Sequence, residues 1–209
     1  MELFESKNQK DSIGFNLLNE KYTSKFDSLF GGNIDLVVFF SNYGGASYDK
    51  GLFRIHSKSS SVYWSNLVSE FFPKYKNRIC CFGYDWMGRQ FAMDIINPNK
   101  SYLFDPATGE DFVLSQNLEG FFNEELVDYR DDTLAPEDFN YIRNKFALNI
   151  LMPDKCIGYE KLLFLGGEDD LDNTEIIDLD VYWDLNYKVY SKIRNMEEGS
   201  IIEKLKYLK

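Results

Sequence analysis

Between Ile79 and Glu110 the apolar positions of the chain recur at the short spacing of strands rather than at the three-to-four spacing of helices. Ile79–Tyr84 reads as one strand, and Asp85, Trp86, Met87 and Gly88 form a turn whose glycine can take a positive φ. Arg89–Ile96 then alternates. Phe91, Met93 and Ile95 fall on one side and Gln90, Ala92 and Asp94 on the other, the pattern of a strand buried on one face and wet on the other. Asn97, Pro98, Asn99 and Lys100 turn the chain into Ser101–Phe104, and the run from Asp105 to Gly109 closes the set. The result is an antiparallel meander, too small to stand alone, which needs helices on its apolar face.

Helical spacing governs most of the remainder. Phe15, Leu18, Tyr22, Phe26 and Leu29 predict one amphipathic helix or two short ones within Asp11–Phe30, stopped by Gly31 and Gly32. Asn33 can cap Ile34–Asn42, whose run Leu36, Val37, Val38, Phe39 and Phe40 suits a helix or a buried strand equally. Gly44 and Gly45 turn the chain into a strand at Leu52–His56, or offer a bare backbone edge. Val62–Phe72 is a helix carrying Trp64, Leu67, Val68 and Phe71, and Pro73 ends it. Asn117–Tyr129 is a helix with an acidic flank at Glu124, Glu125 and Asp128. Asp131 and Asp132 begin a connection, and Pro136, Glu137 and Asp138 open the next helix. Beyond Pro153, Ile157–Leu165 is strand-like, Gly166 and Gly167 break it, Asp178–Ile193 is helical, and Ile201–Leu208 repeats apolar positions at helical spacing. With no repeat and no flexible linker, the reading is one α+β domain: a core over 1–152, with 153–209 packed on it.

Composition narrows the class. Of 209 residues, 17% are aromatic, which suits a packed core and not a disordered chain. The 34 acidic and 23 basic residues give a net charge of −11, which repels nucleic acid and anionic membranes and attracts basic partners. Simple solubility also accounts for such acidity. The first residues do not read as a signal peptide and no apolar run is long enough to span a membrane, so a cytoplasmic protein is expected. Cys80, Cys81 and Cys156 read as buried free thiols of a reducing compartment. With His56 as the single histidine, no zinc site and no cofactor is expected.

Motifs for enzymes are absent: no phosphate-cradling loop, no nucleophile elbow, no paired metal histidines and no dinucleotide fingerprint. His56 reads as a surface or strand-flank residue rather than a general base, and nothing fixes the separation of Asp94 and Asp105 as an acid/base pair. Two clusters remain as candidate partner-binding residues. Glu168, Asp169, Asp170 and Asp172 lack the glycine and terminal glutamate of a calcium loop; they can mimic phosphates in a basic groove, or merely face water. Asp85, Trp86 and Arg89 have the composition of a binding hot spot; alternatively Trp86 folds back over the sheet edge while Asp85 caps the turn.

The runs FGYDWMGRQFAMD, LFDPATGE and FFNEELVDYRDDTLAPEDF, with FFSNYGGAS before them and KLLFLGGEDDLDNTEIIDLDVYWDL after, resemble the SUKH superfamily of bacterial immunity proteins over Ile34–Tyr187. The branch they resemble is that of type VI secretion DNase immunity proteins, with a GAD-like N-terminal part. The resemblance implies an α+β SUKH-like fold in which helices pack on one face of the sheet and Ile34–Asn42 is helical. It also implies an extra C-terminal helical unit, and a non-catalytic protein whose partner is a cognate toxin such as a basic nuclease. A regulatory or scaffold module of the same superfamily is the alternative. An unrecognised enzyme is a third reading, one that would lose activity on changing His56 or Asp94.

Overall fold

The computed structural model describes residues 1–12, 20–114 and 117–196. Phe15, Leu18, the side chain of Tyr22 and Ile201–Leu208 lie outside the described residues. Helices α1 (Glu2–Lys7), α2 (Glu20–Phe30) and α3 (Ile34–Tyr43) come first. Asn33 caps α3 as its sequence predicts, its side-chain oxygen accepting from the Leu36 amide at 3.1 Å, so the helical alternative holds for this run. Strands β1 (Ser47–Tyr48) and β2 (Phe53–Ile55) lead to α4 (Lys58–Phe71), which begins with a reciprocal Ser57–Ser60 capping box.

Then come β3 (Ile79–Asp85), β4 (Gln90–Asp94), β5 (Ser101–Asp105) and β6 (Glu110–Val113). All six strands pair antiparallel in sequence order. β6 goes beyond the predicted meander. A bulge at Phe82 shifts the β3–β4 register between Cys81 and Gly83.

The helix expected over Asn117–Tyr129 is broken into α5 (Leu118–Gly120), a π-helical turn (Phe121–Glu125) and α6 (Leu126–Asp128). The wider π turn lets the consecutive Phe121 and Phe122 both point into the core, where both are fully buried. Asp131 and Asp132 belong to a helix, α7 (Arg130–Leu134), rather than to a connection. α8 (Pro136–Lys145) starts at its proline as predicted. The C-terminal part holds a two-stranded hairpin, β7 (Lys155–Tyr159) with β8 (Thr174–Asp178), and the long helix α9 (Leu179–Ile193). It is therefore more than the helical unit expected, because β8 carries too many acids and too little alternation to read as a strand.

The α+β reading with an antiparallel meander holds, but the expected wet face does not exist. One face presents Phe53, Ile55, Phe82, Phe91, Met93 and Leu103 to Phe4, Phe39, Phe121, Phe122 and Phe139 of the surrounding helices. The other presents Cys81, Tyr84, Ala92, Tyr102 and Phe104 to Trp64, Val68 and Phe71 of α4 and to Tyr182, Trp183 and Val189 of α9. All five residues of β4 are buried. Its polar positions have partners inside: Gln90 Oε1 bonds His56, although its Nε2 has none, and Asp94 bonds Arg78 and Tyr102. Buried Arg54 adds a tie between sheet and C-terminal part, donating to the Met152 carbonyl at 3.0 Å and to the Lys155 carbonyl at 2.6 Å.

Candidate functional site

The turn between β3 and β4 lies inside the molecule. Asp85 is fully buried; one carboxylate oxygen accepts from the amides of Met87 and Arg89, both at 3.0 Å, and the other takes the Arg89 guanidinium at 2.6 Å. Arg89 also donates to the Thr133 carbonyl at 2.6 Å. Burial opposes its charge, and Asp85 and Asp105 more than offset that, holding its pKa above the usual arginine value. Trp86 is 1% exposed, donates its indole N–H to the Leu134 carbonyl at 2.7 Å and packs on Phe139. Gly88 has φ +81°, and a Cβ there would stand 2.8 Å from Leu179.

Asp85 and Trp86 are therefore buried and offer no surface to a partner, whereas Arg89 keeps part of its side chain exposed. Trp86 folds back, Asp85 caps the turn, and together they join the sheet to α7 and α8.

His56 is likewise buried rather than on the surface, although it does flank a strand. Nε2 lies 2.8 Å from Gln90 Oε1, Nδ1 lies 3.2 Å from Ser60 Oγ, and the ring stacks on Tyr84. Burial is the main cause that pushes its pKa down to about 3; the Gln90 bond opposes the shift and Arg54 adds to it. Asp94 is also buried. Burial raises its pKa, but Arg78, Tyr102 and two backbone amides outweigh that and hold it below the usual carboxylate value. By strand register, Asp94 and Asp105 sit five positions apart along the β4–β5 pair, about 17 Å at roughly 3.4 Å per residue, too far to share one reaction.

The acidic loop between β7 and β8 is the opposite case. Glu168, Asp169, Asp170 and Asp172 are all exposed. Its backbone is nevertheless fixed. Asn173 bridges the Lys161 amide and carbonyl, both at 2.9 Å, and donates to the Glu168 carbonyl at 2.8 Å. The Asp170 carboxylate caps the Asp172 amide at 2.7 Å, and Tyr159 donates to Asp169. A Cβ on Gly167 would stand 1.8 Å from the Lys161 carbonyl oxygen, so only glycine fits there. Lys145 meets Asp172 at 3.4 Å, leaving the other carboxylates facing solvent as one negative patch. Among the described residues no group of histidine, cysteine or acidic side chains could hold a metal.

Sequence reasoning missed a second surface. An open cleft of about 360 Å³ runs along β6, with apolar walls of Leu103, Phe112, Leu114 and Tyr129. Its polar walls are Arg89, Glu125, Asp132 and Thr133. The signal available in sequence was slight: Tyr129 was taken into the helix over Asn117–Tyr129, and Phe112 falls just past the predicted meander.

Residues 115–188 match the family model described as T6SS immunity protein Tdi1, C-terminal. The match begins just past β6 and takes in α5 to α8, the hairpin with its acidic loop and most of α9, so the immunity-protein resemblance holds for this stretch. The fold is also similar to that of Atu4351 from Agrobacterium tumefaciens, with a TM-score of 0.60 at 12% identity. That similarity covers 88% of this chain and 86% of the other. Comparison with curated proteins finds no match. Among the described residues no helix is long and apolar enough to cross a membrane.

Proposed function

We propose that the chain is a non-catalytic immunity protein of a type VI secretion system, which binds a cognate toxin in the cytoplasm and blocks it. The observation that carries this reading is the match of residues 115–188 to the Tdi1 C-terminal family, a stretch that contains the acidic loop. The toxin class that fits is a basic nuclease. A net charge of −11, with Glu168, Asp169, Asp170 and Asp172 on a rigid exposed loop, presents carboxylates where such an enzyme expects phosphates. Burial of His56 and Asp94 favours a binding role over catalysis, since neither can reach a substrate.

Pull-down from lysate of the source cells at moderate salt tests the reading. A toxin retained by the natural chain, and lost on Glu168→Lys, Asp169→Lys and Asp170→Lys together, supports it with the loop as contact. A toxin retained despite the reversal keeps the immunity role and removes the loop from it. A housekeeping partner without a toxin overturns the role in favour of a regulatory module.

A further inference from the structure

We infer that the free edge of β6 takes up an extended basic segment of the toxin as an additional strand; this rests on the toxin-binding reading above. The backbone supplies the first reason. Leu114 N–H donates to the Ser101 carbonyl at 2.9 Å, and the register then makes Leu103–Phe112 and Asp105–Glu110 the bonded pairs. The amides and carbonyls of Asp111 and Val113 consequently point away from β5. Among the described residues no strand occupies that side, since β6 ends the six-stranded order.

Side chains supply the second reason. β6 carries no proline, lysine or bulge to blunt its edge; it is short and bears Glu110 and Asp111, an acidic guard that turns away acidic strands and not basic ones. Phe112 and Val113 are 47% and 51% exposed, and Tyr129, 55% exposed, stands across the cleft from Phe112. Such an edge gives an added strand main-chain bonds and apolar side-chain contacts together.

Charge identifies the occupant. Glu125 and Asp132 line the cleft, and the cations nearby are already engaged. Arg89 is held by Asp85 and the Thr133 carbonyl, Arg130 by Asp49 and Asn8, and Lys74 by Asp111. A second copy of this acidic chain would set Glu110 and Asp132 against like charges, whereas a strand carrying lysine or arginine is drawn in.

The test is amide hydrogen exchange of the full chain with a short synthetic peptide alternating lysine and valine, and with its glutamate–valine counterpart. The expected result is that the Asp111 and Val113 amides slow by about tenfold or more with the basic peptide alone. Val113→Pro removes one outward N–H at a position where an edge proline is tolerated, and is expected to abolish the effect. Asp132→Lys, on an exposed helix position, keeps the fold and is expected to weaken peptide binding by about tenfold at low salt. Absence of protection at these two amides, or equal protection by both peptides, overturns the proposal. Retention of a toxin by Val113→Pro as strongly as by the natural chain also overturns it and leaves the toxin-binding reading standing. Retention of no toxin by the natural chain removes that reading, and the proposed occupant with it.

Discussion

The Asp85–Arg89 turn and the Glu168–Asp172 loop look alike in sequence: each is short, acidic, beside glycine and close to an aromatic or basic residue. The fold uses them in opposite ways. In the turn every charged group is bonded internally, and the tryptophan holds three segments of the chain together through its indole, amide and carbonyl. In the loop the backbone is locked by Asn173, and the carboxylates, though Asp169, Asp170 and Asp172 each make one internal contact, stay exposed to solvent. Composition suggests that a residue has binding potential, but only the source of its hydrogen bonds says whether that potential is already used inside the protein.

The largest effect that would break this contrast is at Trp86. Trp86→Ala empties a packed site and orphans the Leu134 carbonyl, so urea unfolding is expected to register a loss of about 3–5 kcal/mol. Asp85→Ala comes next: it leaves Arg89 largely buried without its counter-charge and uncaps two amides, a loss of about 3 kcal/mol in the same measurement. A change below about 1 kcal/mol at either position would place the turn with the loop after all.

Titration sharpens the comparison further. His56 is neutral in the folded state down to pH about 3, whereas the unfolded chain binds its proton near pH 6.5. The unfolded state therefore takes up more protons as pH falls through this window. Stability is expected to drop by up to about 1.4 kcal/mol per pH unit below pH 6.5. Asp94, held below the usual carboxylate value, acts in the same direction at lower pH, because its unfolded form also binds the proton more readily. Its contribution is present above roughly pH 4 and is lost as pH falls through its folded value. Denaturant melts at pH 7, 6 and 5 check the first window, and His56→Gln is expected to flatten it. The smallest stability effect belongs to the loop. Glu168→Lys with Asp172→Lys should shift unfolding by no more than about 0.5 kcal/mol, while toxin association slows and loses most of its salt dependence.

Much of the fold was legible because hydrophobic period and turn residues act locally. The strands at Ile79–Asp85, Gln90–Asp94 and Ser101–Asp105, the Asn33 cap and the Pro136 start all follow from neighbours in sequence. What was not legible depends on distant partners. Gln90 and Asp94 look like solvent-facing positions until His56, Arg78 and Tyr102 are placed beside them. The same holds for the sheet's second face, whose cover comes from α4 and from the distant α9. At the candidate sites, the exposure of the acidic loop could be anticipated from charge density. The burial of Trp86 was one of two open readings, because a tryptophan in a turn serves either role until its neighbours are known. β6 was invisible because four residues reading Glu-Asp-Phe-Val carry too little alternation to mark a strand.

The strict sequence order of the six strands bears on how the chain is made. Neighbouring hairpins can close as they leave the ribosome, since each strand's partner is already out or next to emerge. The cover over Ala92, Tyr102 and Phe104 cannot be finished so early, because it needs Tyr182, Trp183 and Val189 of α9. The 80 residues from Val113 to Ile193 (193 − 113) take roughly 4–16 s to synthesise at about 5–20 residues per second. For that interval the nascent chain carries a paired sheet with part of one apolar surface uncovered, held back from its final state by the pace of translation.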